Sequence, residues 1–421
     1  MSVKSIITGC ALLASVFAAG QEAGYRATYY VDGSVEKEQY RSHTTLECLE
    51  RDASVIYATG GVDLILTKLK LNKTSGSLND PDRRENGRNS AVLIDGGSKV
   101  IIEYCELNSH TAQSDGLTVK GWGSKADVVE GIFNTSRGES AAMNAVDGGK
   151  ITVKHPKIST FSNQSPVFYT GLDGELTISE AEGESAGQGS PLFYSSGVIN
   201  AEKCRMTSSK WTIANVDGGR MTLTKNVINA GGFCGFLVYG NKHPEETGKL
   251  ELINNSISVA EGPLFYVSNT TSNTSITVSG NKISLKSHEL MTVAADDWGV
   301  KGSNGGFVTL TVRKQALSGN ITVDSISTAI IELQKGGKLN GQINADENRC
   351  ARTQVVMGEG STWTSKGDSY ITAIHFEAPL AKGLKQLKGK HTIYYDPSDP
   401  VNSYLEGKEY KTGGGKLCPI K

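Results

Sequence analysis

The sequence predicts an all-β protein built as a solenoid of about ten stacked coils. Glycine accounts for 49 of the 421 residues and aromatic side chains for only 7%, a composition that suits short strands and tight turns better than packed helices. Short runs of alternating apolar and polar residues lie between Gly-rich turns, as strands do. A similar unit also recurs about every 25 residues, and such a repeat indicates stacked coils.

Each repeat unit has the same internal order. An apolar run precedes a Gly, Asp or Asn turn, and a strand with period-two alternation follows, such as Met221–Leu223 or Ile276–Val278. The next turn carries a small or amide side chain, at Asn226, Asn255, Asn281, Cys105 and Cys204. Amides in one column hydrogen-bond from coil to coil and so satisfy polar groups that point inward. The units begin near residues 54, 91, 116, 141, 166, 191, 211, 236, 263, 289 and 320.

A leucine-rich repeat is the alternative fold. The segment Leu250–Ile257 fits the LxLxxNxL pattern of such repeats. Those repeats return through a helical or Leu-rich segment, whereas here Gly262 and Pro263 lie where a helix would run. The solenoid of short strands is therefore favoured.

Several motifs carry a resemblance to a known family. They include IDGG and VDGG turns, PLFY at Pro191–Tyr194 and Pro263–Tyr266, the segment Gly367–Thr372, and Tyr394–Asp396. With them, residues 54 to 375 resemble the right-handed parallel β-helix proteins of the pectin-lyase-like superfamily, and more closely a set of secreted members without established activity. The resemblance implies a right-handed parallel β-helix. It implies no particular reaction, because this fold hosts lyases, hydrolases, adhesins and scaffolds.

The two ends of the chain depart from the repeat. Residues 1–20 are predicted to be a signal peptide, because Lys4 precedes an apolar run and small residues follow it. The stretches 21–53 and 376–421 are predicted to be the N- and C-terminal caps of a β-helix at 54–375. No later stretch has the ~20 apolar residues of a membrane span. We therefore expect a secreted, extracellular protein.

Charge and cysteine counts agree with this interpretation. The chain has 43 basic and 44 acidic residues, which excludes the strong positive field of a nucleic-acid-binding protein. Without Cys10 six cysteines remain, and a disulfide between Cys350 and Cys418 is predicted to tie the tail to the last coils. Seven glycosylation sequons are predicted, at Asn72, Asn134, Asn163, Asn254, Asn269, Asn273 and Asn320.

Two groups of acidic residues are candidate sites. Asp147 and Asp173 occupy the same turn of successive units and are weak Ca²⁺ candidates, although Asp-Gly is also a favoured tight turn. Two longer insertions bring further acids near Trp298, a candidate sugar-binding residue. Their carboxylates are the candidate catalytic residues Glu245, Glu246, Asp296 and Asp297. A third insertion, 75–90, is strongly charged and is expected to be a mobile excursion.

An apolar stripe is the other candidate surface. Aligning the units places Phe168, Phe193 and Phe265 in one column between two other apolar columns. Since alternate side chains of a strand face opposite sides, we expect this middle column to face outward. Such a stripe either binds a partner or is covered by another segment or chain.

The favoured function is non-enzymatic. We expect a surface- or wall-associated adhesin, or a module that binds an extracellular polysaccharide or a surface protein, with no cofactor. The alternative is a polysaccharide lyase or glycoside hydrolase, although the chain lacks the Gly-His-Gly and Arg-Ile-Lys motifs of pectinolytic relatives. A secreted effector that acts on a host protein is the third hypothesis.

Overall fold

The computed structural model describes residues 25–31, 38–41, 44–78, 80–240, 247–345, 347 and 352–420. The predicted signal peptide, Glu245, Glu246 and Cys350 lie outside the described residues. The chain is a parallel β-solenoid of about 15 turns rather than about ten, so the prediction of an all-β solenoid is confirmed. It divides into two compact units, Met1–Ala214 and Asn215–Lys421. Among the described residues, no helix has the length and apolar character needed to cross a membrane.

The first unit consists of three-stranded coils. The helix α1 (Arg83–Asn86) lies between the sixth and seventh strands. The strands are β1 (Ala27–Val31), β2 (Glu38–Arg41), β3 (Thr45–Cys48), β4 (Ser54–Ala58), β5 (Asp63–Thr67), β6 (Lys70–Lys73), β7 (Val92–Ile94), β8 (Lys99–Glu103), β9 (Glu106–Ser109), β10 (Leu117–Lys120), β11 (Lys125–Val129), β12 (Ile132–Thr135), β13 (Met143–Val146), β14 (Lys150–Lys154), β15 (Lys157–Thr160), β16 (Phe168–Thr170), β17 (Glu175–Ser179), β18 (Glu182–Ser185), β19 (Phe193–Ser195), β20 (Val198–Glu202) and β21 (Arg205–Ser208).

Every third strand of this unit belongs to the same parallel sheet. The first sheet contains β1, β4, β7, β10, β13, β16 and β19, the second begins with β2 and β5, and the third with β3 and β6. β1 to β3 pair in parallel with β4 to β6. The stretch 21–53, predicted as a cap, therefore holds the strands of a first coil.

The second unit continues the same pattern and then changes it. Its strands are β22 (Ala214–Asp217), β23 (Arg220–Thr224), β24 (Val227–Ala230), β25 (Phe236–Tyr239), β26 (Lys249–Ile253), β27 (Ser256–Val259), β28 (Phe265–Ser268), β29 (Thr274–Ser279), β30 (Lys282–Leu285), β31 (Glu289–Val293), β32 (Phe307–Arg313), β33 (Ala316–Ser318), β34 (Asn320–Val323), β35 (Thr328–Leu333), β36 (Lys338–Asn340), β37 (Arg352–Met357), β38 (Thr362–Thr364), β39 (Ser369–Ile371), β40 (Ala373–Phe376), β41 (Leu387–Lys388), β42 (Thr392–Tyr395), β43 (Tyr410–Lys411) and β44 (Lys416–Pro419).

The last part of this unit forms two small sheets. One contains β33, β36, β38 and β41, and the other, here called the C-terminal sheet, has the order β39, β42, β44, β43. Helix α2 (Leu380–Gly383) and two 3₁₀ turns, Leu384–Gln386 and Pro400–Leu405, connect these strands. β42 and β44 pair in parallel, and only β43 runs antiparallel to its neighbour. The stretch 376–421, predicted as a cap, therefore holds strands that stack like coils.

The core of each unit is a set of stacked columns. In the first sheet of the first unit, Phe168 lies directly over Phe193 with ring centroids 5.7 Å apart and planes at 10°. In the second unit Phe236 lies over Phe265 at the same distance. All four side chains are fully buried. Like side chains in successive coils fill the interior without voids, which is how a short coil gains a core.

The prediction that Phe168, Phe193 and Phe265 face outward is therefore wrong. The apolar runs that define the repeat do not begin at the same position of each strand. Register pairs Ile56 with Val92 and Tyr57 with Leu93, so a column that joins Ile56 to Leu93 mixes the two faces. A shift of one residue moves every side chain of a strand to the other face. In the first unit the outward column instead contains Tyr57, Leu93, Thr118, Asn144, Tyr169 and Tyr194. In the second unit the outward residues include Leu237 and Tyr266.

The predicted amide ladder is confirmed in the second unit. Asn226 Nδ2 donates to Asn255 Oδ1, and Asn255 Nδ2 to Asn281 Oδ1, both at 3.0 Å. Each Oδ1 also accepts a backbone N–H of the preceding coil, at 2.8 and 2.9 Å. In the first unit, Cys105 and Cys204 lie at corresponding turns and are buried. These contacts satisfy polar groups at a corner that water does not reach.

Adjacent residues of one strand provide a test of this register. We expect Phe193→Ala to destabilise the protein by about 3–5 kcal/mol, because it opens a cavity in the stacked core. Tyr194→Ala, on the outward face, should cost less, since Tyr194 is half-buried whereas Phe193 is fully buried. Urea unfolding followed by circular dichroism compares the two. Equal losses for both variants would contradict the inward position of Phe193.

Candidate functional site

The insertion 75–90 covers part of the outward face of the first sheet in the first unit. Asn144 Nδ2 donates to Arg84 O at 2.8 Å, and Tyr25 donates through its hydroxyl to Asn86 O at 2.8 Å. The Arg84 guanidinium lies 5.2 Å from the ring centroid of Tyr169. Tyr169 is only 2% exposed. The expectation of a mobile excursion is thus wrong for the described part of this insertion, since it is packed against the sheet.

A buried carboxylate helps to hold this insertion. Asp115 is 4% exposed, and its carboxylate accepts from Ala141 N at 2.6 Å and from Asn144 Nδ2 at 2.8 Å. Arg84 Nε lies 3.9 Å from it. Burial raises the pKa of Asp115, and Arg84 opposes that shift. The charged Arg84 of the insertion therefore lies against a buried carboxylate of the first unit.

In the second unit, the insertion 294–306 covers the outward side of β25 and β28. The Trp298 ring meets Tyr239 edge to face, with centroids 5.6 Å apart. It packs with Phe233 and Tyr266 against the buried residues Cys234 and Leu237. Burial, together with a hydrogen bond to Asp296, raises the pKa of Tyr266. Trp298 is therefore part of an apolar cluster, and Asp296 is hydrogen-bonded to Tyr266 of that cluster.

The remaining predicted acids do not form a defined centre. Asp297 N donates to Asp296 Oδ1 at 2.7 Å in an exposed loop. Asp147 and Asp173 are exposed turn residues with φ of 54° and 57°. Within the described ranges, no three His, Cys, Asp or Glu side chains are grouped as metal ligands would be. The predicted disulfide is not seen, because Cys418 is a free thiol and Cys350 lies outside the described residues.

The C-terminal sheet carries a cleft that the sequence analysis did not predict as a site. The cleft has a volume of about 560 Å³. Register places Tyr370, Tyr394 and Cys418 in one column of successive strands. The two tyrosine rings are stacked, with centroids 4.8 Å apart and planes at 11°. The whole column lines the cleft, together with Glu347, Thr392, Glu409, Lys416, Pro419 and Ile420.

The third position of this column is occupied by a small side chain. One face of the Tyr394 ring is covered by Tyr370, and the other is turned towards the strand that carries Cys418. A thiol is much smaller than an aromatic ring, so it leaves part of that ring face without a stacking partner. The coil spacing of ~4.8 Å is also close to the distance between stacked rings. The cleft can therefore take a flat ring that continues the stack.

Charged groups border this position. Tyr370 donates its hydroxyl hydrogen to Glu347 Oε1 at 3.0 Å. Lys416 Nζ and Glu409 Oε1 form an ion pair at 2.6 Å, and this contact lowers the pKa of Glu409. Burial and the Glu409 carboxylate raise the pKa of Cys418, so its thiol stays protonated at neutral pH. The cleft thus combines an apolar ring face with two carboxylates, one ammonium group and an uncharged thiol.

The spacing of these residues was a signal in the sequence. Tyr370, Tyr394 and Cys418 follow one another at intervals of 24 residues, which is close to the length of one repeat unit. In the sequence, Gly367–Thr372 and Tyr394–Asp396 indicated the fold and no site. Compared with protein-family models and with curated proteins, the chain gives no match.

The proton affinity of Tyr370 gives a test of the cleft. Desolvation and the Glu347 carboxylate raise its pKa from 10.0 to about 12, because both disfavour the phenolate. At pH 11 about nine-tenths of Tyr370 should remain protonated, against about one-tenth for a free tyrosine. The stabilisation linked to this shift is complete below pH 10 and is lost as the pH rises through 12.

Ultraviolet difference spectra at pH 11 measure this state. Subtracting the spectrum of Tyr370→Phe from that of the wild type should leave little phenolate signal. In Glu347→Gln the corresponding difference should contain more phenolate, since the neighbouring negative charge is gone. A full phenolate signal for Tyr370 in the wild-type protein would contradict the hydrogen bond to Glu347.

Proposed function

We propose that this protein is a secreted, non-enzymatic module that binds an extracellular polysaccharide through the C-terminal cleft. The observation that carries the proposal is the partly uncovered face of Tyr394 above the small Cys418 side chain. A pyranose ring is flat, and its C–H groups pack on an aromatic face. The space that Cys418 leaves beside the Tyr394 ring can hold one such sugar ring.

The polar groups of the cleft suit a sugar that stacks in this way. Ring hydroxyls can donate to the carboxylates of Glu347 and Glu409 and accept from Lys416, all of which line the cleft. Ligand sites of this kind combine an apolar surface with a few polar groups that fix orientation. The carboxylates of Glu347 and Glu409 line the cleft, and carboxylates repel an anionic sugar, so neutral sugars are favoured over polyuronides.

Binding is favoured over hydrolysis because the pKa of the Glu409 carboxyl group is lowered. A glycosidase acid needs a raised pKa so that it holds a proton to donate. Here Lys416 lowers the pKa of Glu409, so Glu409 is ionised and holds no proton to donate. Glu347 accepts a hydrogen bond from the Tyr370 hydroxyl. A glycoside hydrolase or lyase is kept as an outcome of the experiment below.

Secretion and membership of the pectin-lyase-like superfamily are part of the same proposal. The parallel solenoid fold supports the family assignment, and the predicted signal peptide and sequons support an extracellular location. An adhesin in a wall or on a surface needs a rigid scaffold and a ring-binding cleft, and this chain combines both.

The binding experiment uses Tyr394 and matched variants. Titration calorimetry with cellohexaose, laminarihexaose, chitohexaose, xylohexaose and hexagalacturonate should detect binding of a neutral oligosaccharide. We expect Tyr394→Ala to weaken it at least about tenfold, equivalent to ~1.4 kcal/mol, and Tyr394→Phe to preserve the ring and most of the affinity. Tyr104→Ala is the control, since Tyr104 is 51% exposed in the first unit.

Three results would contradict the proposal. The first is unchanged affinity in Tyr394→Ala, and the second is exclusive binding of hexagalacturonate. The third is release of shortened products that stops in Glu409→Gln, which would assign the cleft to a hydrolase.

Burial separates the predicted glycosylation sites. Asn269 is 8% exposed, its Nδ2 donates to Gly240 O at 2.7 Å, and Gly299 of the insertion 294–306 lies against it. Asn273 and Asn320 are exposed. Because a glycan is attached at Nδ2 and must reach solvent, we expect Asn273 and Asn320 to accept glycans and Asn269 to stay unmodified. Glycopeptide mapping after expression in a eukaryotic secretory host checks this, and an occupied Asn269 would contradict the packing of this insertion.

A further inference from the structure

Trp122 is an exposed tryptophan in a fixed position. It lies in the turn between β10 and β11 and is 71% exposed. The other three tryptophans differ, since Trp363 is fully buried, Trp298 packs on Tyr239, and Trp211 is half-buried. A large apolar side chain on a turn tip costs solubility.

The indole ring of Trp122 rests on the backbone of the next coil. A Cβ added to Gly148 would lie 2.6 Å from Trp122 Cδ2 and 2.8 Å from Cε2 and Cγ. Cδ2 and Cε2 are the two atoms shared by both rings of the indole, and Cγ belongs to the five-membered ring, so the indole lies against the glycine. Gly148 also has φ of 84°, a conformation that favours glycine. One face of the Trp122 ring therefore contacts Gly148, and the rest of the side chain is exposed to solvent.

The surroundings of this ring are open on one side and polar on the other. At Gly97 of the preceding coil, no described heavy atom lies within 4 Å of the position a Cβ would take. In the coils that follow, Asp147 and Asp173 are exposed, and Leu172 is 49% exposed. Asp147 N donates to Leu172 O at 2.9 Å, which fixes these turns side by side.

Single exposed apolar residues are common and need no function. Trp122 differs from them in two respects. Its ring orientation is set by contact with Gly148, so binding does not have to immobilise it. An exposed apolar side chain and exposed carboxylates also lie in the adjacent turns, and carboxylates accept hydrogen bonds from sugar hydroxyls.

We propose that Trp122 is the stacking platform of a second carbohydrate-binding site, with Asp147 as an acceptor for ring hydroxyls. The ligand is a pyranose of a neutral polysaccharide, because the exposed Asp147 and Asp173 disfavour a uronate. This inference extends the proposed function to a second surface. It depends on residues of the first unit alone, so either site can fail without the other.

The experiment isolates this site in the Tyr394→Ala protein, in which the cleft is disabled. Intrinsic fluorescence is recorded during titration with cellohexaose, laminarihexaose, chitohexaose, xylohexaose and hexagalacturonate. We expect a blue shift with one of the neutral hexasaccharides, because a stacked sugar removes water from the exposed indole. The added change Trp122→Phe should abolish the shift and weaken binding, measured by calorimetry, about two- to threefold, and Trp122→Ala at least about tenfold.

Two further variants separate stacking from a general structural effect. Asp147→Asn keeps the turn and removes the charge, and we expect it to weaken binding several-fold. Gly148→Ala places a methyl group under the indole and should displace it, with loss of affinity close to that of Trp122→Ala. Circular dichroism and thermal unfolding check that both variants are folded, and Tyr104→Ala is the control.

The outcomes distinguish the two sites. Unchanged affinity in Trp122→Ala, or no fluorescence response to any of the five oligosaccharides, would overturn the Trp122 site. Binding that disappears completely with Tyr394→Ala assigns all affinity to the cleft and also overturns it. Binding that survives Tyr394→Ala and is lost on adding Trp122→Ala supports the second site, whatever the cleft contributes.

Discussion

The structure depends on the in-register stacking of short coils. One coil of three strands is too small to bury its side chains alone, so each inward residue also needs its counterparts in the coils on either side to cover it. This requirement selects like residues for each column, as in the stacked pair Phe168 and Phe193. Corners meet the same requirement with polar groups, and Asn226, Asn255 and Asn281 supply donors and acceptors to one another. Both kinds of contact fail if one strand slips by a residue.

The same repetition generates an outward column, and the chain covers much of it. Tyr169 lies beneath Arg84 of the insertion 75–90 in the first unit. In the second unit Trp298 packs against Tyr239. Trp298, which the sequence pattern indicated as a binding residue, thus covers an aromatic side chain instead. The candidate positions for a ligand are the step at which Cys418 replaces a third ring and the exposed face of Trp122, whose other face lies against Gly148.

The two candidate sites follow from the spacing of the coils. Adjacent strands are separated by about the thickness of a stacked ring. When one coil carries an aromatic ring and the next a small residue, the backbone itself holds a ring-sized space. Tyr394 with Cys418 forms such a step on a sheet. On a turn, the indole ring of Trp122 fills the space over Gly148, and its opposite face is left to solvent. A polysaccharide-binding solenoid needs no loop rearrangement to make such positions.

The sequence by itself determined the repeat, the strand content and the amide ladder, because these depend on local alternation and on residues that recur at one interval. It also contained the 24-residue spacing of Tyr370, Tyr394 and Cys418. Only the tertiary structure decided which apolar column faces inward, since pairing Ile56 with Val92 rather than with Leu93 reverses the faces. It also decided that the insertions 75–90 and 294–306 pack on the sheet, because those contacts join residues far apart in sequence that no periodicity relates.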